Sequence, residues 1–229
     1  MRAAVIAIDG PAGSGKSSVS RRVATRQGMR YLDTGAMYRA MTWAMLDAGI
    51  DVDDPVAVAE HTPSVYIISG TDPQHPTIHV NGVDVADPIR GDAVTGAVSA
   101  VSAVASVRTR LVQIQRDTVQ AARDEGLGIV VEGRDITTVV LPDADLKIFI
   151  TAVPQVRALR RAAQDERRGK ESVDLDTTQT ALLERDAKDS TRAASPLALA
   201  PDAVLVDTTE LTLDEVIDRI CALVDPTAG

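Results

Sequence analysis

Eight residues, GPAGSGKS from Gly10 to Ser17, constrain this chain more than any other stretch. They match G-x-x-x-x-G-K-[ST] and lie between a short apolar run, Ala3 to Ile8, and a segment of helical spacing, Lys16 to Gln27. That setting gives the pattern a mechanism. Gly10, Gly13 and Gly15 let the backbone close around phosphate oxygens without Cβ clashes. Pro11, Ala12 and Ser14 complete the loop, and Ser18 follows it into the helix. A row of N–H groups and a helix N-terminus then face one anion. Lys16 reaches the β- and γ-phosphates, and Ser17 offers its hydroxyl to Mg2+. Gly10 through Ser18 are therefore expected to bind a nucleoside triphosphate with its metal. A strand that runs straight into a helix through such a loop also calls for a parallel sheet buried on both faces.

The rest of the chain continues that alternation. RYLD, GIVVEG, DLKIFI and DAVLVD read as strands. Thr34 to Ala48, Gln155 to Arg168, the segment around RDAKDSTRAASPL and Leu213 to Leu223 read as helices. Asp92 to Arg123 is helical with a break near Ala105-Ser106. From Thr62 to Gly91 the character changes to short alternating runs around Asn81-Gly82, a hairpin turn signal. The expected fold is α/β with a central parallel sheet flanked by helices, and a small antiparallel β insertion.

Composition narrows the partners. Hydrophobic residues make up 45% of the 229 and aromatics only 2%, so the core must be aliphatic and stacking along a nucleic-acid polymer is not expected. A net charge of −9 opposes polyanions and membrane surfaces. The single cysteine, Cys221, forms no disulfide within the chain and reads as a small core residue. His61, His75 and His79 lack metal-site spacing. No apolar run is long enough to span a bilayer, and the start, MRAAVIAIDGPAG, does not read as a signal peptide, so a cytoplasmic location is expected.

Binding a triphosphate leaves several activities open. A signalling GTPase reads guanine with Asn-Lys-x-Asp, but the one asparagine, Asn81, precedes Gly82, and Asp-x-x-Gly does not occur. The strand ending VVEGRD suits an acceptor site better than hydrolysis. Basic side chains follow several strands, where open α/β sheets bind ligands. Thr34, Tyr38 and Arg39 follow the second strand, and Arg134 and Asp135 follow another. Arg185, Asp189 and Arg192 are four and three residues apart, one helix face at about 100° per residue. Arginines gathered in a chain of net charge −9 imply a second, small anion.

Five stretches, IDGPAGSGKS, LDTGAMYR, VSAVSAVASVR, EGRDITTVVLPDADLKIFI and ERDAKDSTRAASPL, resemble in order those of the bacterial cytidylate kinases, a family of the nucleoside monophosphate kinase superfamily. The resemblance implies a P-loop kinase core over residues 1–61 and 92–229, a short helical lid at about 154–172, and a monophosphate-binding insertion over 62–91. Ser99, Arg108 and Asp135 resemble the cytosine-reading residues. Arg39, Arg134 and Arg192 resemble the clamp on the acceptor phosphate, with Thr34 and Tyr38 beside it, and Arg185 and Asp189 the pair at the sugar hydroxyls. Lys16, Arg134 and the lid residues Arg157 and Arg161 would act in transfer, with Arg160 a further lid candidate. Two positions depart from the family pattern: Thr34 where Ser is common, and Glu132 where Asp is frequent. The implied reaction moves the γ-phosphoryl group of ATP to CMP or dCMP with Mg2+, in a monomer. The alternatives are a P-loop kinase for another small acceptor and a non-catalytic ATP-binding regulator; acceptor-dependent ADP release separates them.

Overall fold

The computed structural model describes residues 3–167, 169, 174–192 and 195–224. The expected lid range therefore extends, at 168 and 170–172, outside the described residues. Five strands form a parallel sheet: β1 (Val5–Asp9), β2 (Arg30–Asp33), and further along the chain Ile129–Glu132, Leu146–Thr151 and Val204–Asp207. Between β2 and those last three strands lie β3 (Ile67–Ser69), β4 (Ile78–Val80) and β5 (Val83–Asp84), so the later strands are β6, β7 and β8. The order across the large sheet is β2-β6-β1-β7-β8, and all four pairings are parallel. The small antiparallel sheet runs β3-β4-β5.

Strand alternation divides the core into two layers. Ile6, Ile8, Tyr31, Val130, Ile148 and Ile150 face α1 (Lys16–Arg26) and the C-terminal helix Leu213–Val224. Val5, Ala7, Leu32, Ile129 and Val131 face the other way, toward α2 (Thr34–Asp47). Met37, Met41 and Met45, four residues apart, are fully buried on α2. Burying each contributes about 1.5–3 kcal/mol.

The expected hairpin is present. Asn81 and Gly82 both take positive φ, 50° and 84°, between β4 and β5. These angles match the twist of a two-residue hairpin turn. Val65, Ile67, Ile78, Val80 and Ile89 from this region share the core cluster of the α2 methionines. The insertion is thus packed onto the main body and has no separate core.

Helix α3 (Pro55–His61) is an element the sequence reading passed over. Asp54 caps it, accepting from the N–H groups of Val56 and Ala57, and Pro55 takes its first turn. The long helical stretch splits into α4 (Asp92–Ala103) and α5 (Ala105–Asp124) at Val104, whose extended backbone (φ −71°, ψ 125°) interrupts the helix. The basic helix α6 (Pro154–Glu166) starts on a proline. Helix α7 (Leu175–Thr191) carries Arg185 and Asp189 but stops one residue short of Arg192, which turns out of the helix at φ −57°, ψ 135°. The three side chains therefore do not share one helix face. Helix α8 is Leu213–Val224. Among the described residues, no helix is long and apolar enough to cross a membrane.

Candidate active site

The carboxyl ends of β1, β6 and β2 deliver Asp9, Glu132 and Asp33 to one edge of the sheet. The loop after β1 wraps into α1 there. Gly13 has φ +75°, and a Cβ at that position would stand 2.8 Å from the carbonyl oxygen of Arg157. At Gly10 a Cβ would stand 2.0 Å from the Ile150 carbonyl oxygen of β7. Side chains are excluded at both places because backbone already fills the space. The Lys16 ammonium folds over its own loop, donating to the carbonyls of Gly10 (2.7 Å) and Pro11 (2.9 Å). Burial, then the neighbouring Arg134, lowers its pKa to about 7. A polyphosphate against this nitrogen would restore its charge.

A cleft of about 510 Å³ opens beside the loop. Ala12 through Ser18 line it, as do all ten residues expected around the acceptor: Thr34, Tyr38, Arg39, Ser99, Arg108, Arg134, Asp135, Arg185, Asp189 and Arg192. Gly10 and Pro11 do not line it, although their carbonyls hold Lys16. Residues separated by more than a hundred positions in the chain thus converge on one space.

The turn after β6 shows how the convergence is built. Asp9, fully buried, accepts from the N–H groups of Ile136 (3.0 Å) and Thr137 (2.7 Å) and from the Thr137 hydroxyl (2.7 Å). This ties β1 to the single wide helical turn Ile136–Val140 and fixes Arg134 and Asp135 just before it. Arg134 donates to the Gly10 carbonyl (2.8 Å) and to Asp189 (2.9 Å), linking the phosphate loop to α7. Arg192 also approaches Asp189, at 3.6 Å. Asp189 is therefore shared by Arg134 and Arg192.

At the far wall, Arg108 and Asp135 form an ion pair that is almost wholly buried, and Arg108 lies over the Tyr38 ring at 5.5 Å. Burial raises the Asp135 pKa, with Arg108 and Arg192 pulling the other way. The arginines are crowded. Burial and the nearby Arg185 and Arg161 pull Arg39 down to about 9, and burial and Arg134 pull Arg185 down to about 10. Among the described residues, buried Arg185 Nε and one terminal nitrogen of Arg192 have no hydrogen-bond partner. Cations held together this way gain from a shared anion.

Arg157 is not brought to the cleft. Its guanidinium is buried between the Ala12 carbonyl (3.1 Å) and the Asp186 carboxylate. Asp186 in turn accepts from the Ala12 N–H at 3.0 Å. Asp186 is a residue the sequence reading missed, and its position beside Arg185 in ERDAKD was the only signal. Arg160 and Arg161 do line the cleft. Arg160 donates to the Thr208 hydroxyl (2.8 Å) and carbonyl (2.7 Å), and Arg161 to Asp165 (2.8 Å).

The metal expected with a triphosphate finds oxygen donors at the loop. The Ser17 hydroxyl donates to Glu132 at 3.1 Å, and Asp33 lines the same edge. One hydroxyl and one or two carboxylates are the hard donors Mg2+ takes beside phosphates and water. The residues present fit the ion.

A family model described as cytidylate kinase matches residues 6–226. This chain belongs to the cytidylate kinase family. It is 56% identical over 223 residues to a cytidylate kinase of Streptomyces avermitilis, covering 97% of this chain and 93% of that protein. It is 51% identical over 225 residues to a cytidylate kinase of Mycobacterium leprae, covering 98% and 97%. Among solved structures, a Thermus thermophilus protein aligns over the whole of both chains with TM-score 0.50 at 15% identity. A sugar kinase from a Janibacter species aligns over 98% and 96% with TM-score 0.50 at 14% identity. At such identities these two likenesses speak to the fold alone.

Proposed function

We propose that the chain transfers the γ-phosphoryl group of ATP to CMP or dCMP, releasing ADP and CDP or dCDP. The observation that carries this reading is the meeting, in one cleft, of the phosphate loop, a cluster of arginines with unmet bonding capacity, and a buried Arg108–Asp135 pair.

The loop N–H groups and Lys16 hold the donor phosphates. Arg39, Arg134 and Arg192 hold the acceptor phosphate, and Arg134, bonded to the Gly10 carbonyl, stands between the two sites. With both phosphates fixed, the protein's task is alignment and charge neutralisation more than covalent chemistry. Lys16, Arg134 and Arg161 meet the charge of the transferred group, with Arg160 beside them; Arg157 shapes the loop from behind. Ser17, with Glu132 and Asp33 behind it, would hold Mg2+, which would supply charge neutralisation beside the donor phosphates. Asp135 and Arg108 face the base with Ser99. A carboxylate accepts from the cytosine amino group and is repelled by the uracil carbonyl, which sets the choice of base. Asp189 orients two arginines and, with Arg185, is left to meet the sugar hydroxyls.

All these residues come from one chain, so a monomer is sufficient. ATP consumption and the lone buried Cys221 suit a reducing cytoplasm. A coupled assay of ADP release over CMP, dCMP, UMP, AMP, GMP and gluconate tests the proposal. Release dependent on CMP and dCMP above the others supports it. Release that depends on gluconate, or on no acceptor at all, points to another acceptor or to a regulator.

A further inference from the structure

Tyr31 is 2% exposed on β2, in the aliphatic layer under α1 with Ile6, Ile8, Val19 and Val23. Its hydroxyl donates to Oε1 of Glu132, while Ser17 donates to Oε2 of the same carboxylate. The sheet register explains the first contact. Tyr31 pairs with Val130 across β2 and β6, so Glu132, two residues further on, points to the same face as Tyr31 and lies diagonally from it. A leucine at position 31 would fill the layer, but only a long residue with a polar tip fills it and also reaches the carboxylate. Buried phenols take a partner, and this one takes the carboxylate at the edge of the phosphate loop.

The Ser17 contact has a consequence for the metal. A hydroxyl that ligates Mg2+ must present a lone pair, so its proton must go elsewhere. Glu132 accepts the hydrogen bond that this O–H donates, and Tyr31 fixes where Glu132 points. We propose that Tyr31 is a positioning residue for the metal edge of the donor site, acting through Glu132 to turn the Ser17 lone pairs toward Mg2+. The inference rests on the reading that ATP binds this loop with a divalent ion.

The test is Mn2+ titrated into the enzyme–ADP complex and followed by electron paramagnetic resonance. ADP binding in EDTA and thermal melting serve as controls. Tyr31→Phe keeps the ring and loses the hydroxyl. Its Mn2+ dissociation constant should rise roughly ten-fold, the scale on which partners of ligating groups act, while metal-free ADP affinity stays at the wild-type value. Tyr31→Leu should behave the same way. In a Glu132→Gln background, Tyr31→Phe should add little, because the tyrosine acts through that carboxylate. Wild-type Mn2+ affinity in both single variants would overturn the inference, as would an equal loss with and without Glu132. If the wild type itself shows no ADP-dependent Mn2+ site, the metal reading fails and the inference falls with it. Should that site be intact and only the tyrosine variants prove silent, the donor-site reading stands and Tyr31 is a core residue alone.

Discussion

Replacing Asp186 with alanine tests how the phosphate loop is held. Its carboxylate accepts from Arg157 and from the Ala12 N–H, and Arg157 also donates to the Ala12 carbonyl. The Arg157 and Asp186 side chains are 6% and 14% exposed. Removing one member of a buried ion pair costs about 3–5 kcal/mol, because the other charge stays buried. An orphaned N–H adds about 1–3 kcal/mol. One carboxylate makes both contacts, so the costs overlap, and about 4 kcal/mol is the working figure. At roughly 2–4 °C per kcal/mol for a domain of this size, Asp186→Ala should melt roughly 8–16 °C below the wild type. The KM for ATP should rise about ten-fold, corresponding to about 1.4 kcal/mol of lost loop organisation. The double change Arg157→Met with Asp186→Leu removes both charges and should recover much of the stability. It still leaves Ala12 without its acceptor, so the ATP KM should stay raised. Scanning calorimetry and steady-state kinetics on the three proteins decide the matter. A single variant that melts within a degree or two of the wild type, with an unchanged ATP KM, refutes the argument.

Two further outcomes concern the acceptor side. Arg192→Lys keeps the charge and loses the planar fork, so kcat/KM for CMP should fall about ten-fold while the KM for ATP barely moves; equal losses for both substrates would remove Arg192 from the acceptor clamp. Asp135→Asn should narrow the ratio of kcat/KM for CMP over UMP, since an amide also donates to the uracil carbonyl. The same variant has a signed effect on stability. Burial raises the Asp135 pKa above its ordinary 3.8, so its contribution is full below that pH and is lost as pH rises through the higher folded value. Asp135→Asn should therefore lose less stability than the wild type as pH rises above about 4. A wild-type pH profile of melting would contradict it.

The sequence revealed most where one local pattern carries the chemistry. GPAGSGKS, the Asn81-Gly82 turn and the strand–helix alternation are read within a few residues, and each stands where expected. Arg39, Arg134 and Asp135 were also legible, because strand ends point at a common cleft in this fold. Partnerships were not legible. The spacing puts Asp189 between Arg185 and Arg192, yet Arg134 from a loop 55 positions away takes one of its oxygens. The resemblance implies a transfer role for Arg157, but its guanidinium is buried against the Ala12 carbonyl and Asp186. Long side chains choose partners by three-dimensional proximity, and helical spacing records only the face from which they leave. The Tyr31–Glu132 contact depends on the register between β2 and β6, which neither strand reveals alone. Helix α3 was missed although Asp54-Pro55 is a start signal, because the helix it opens is only seven residues long.

Two phosphates held in one cleft pass the phosphoryl group directly, with no free phosphate between. Phosphorus-31 NMR of the wild-type protein with equimolar ATP and CMP tests this without coupling enzymes. ADP and CDP should appear together in equal amounts, with inorganic phosphate at the background rate. Inorganic phosphate growing with ADP while CMP stays unchanged would mean that the cleft hydrolyses ATP and does not pass the phosphoryl group on.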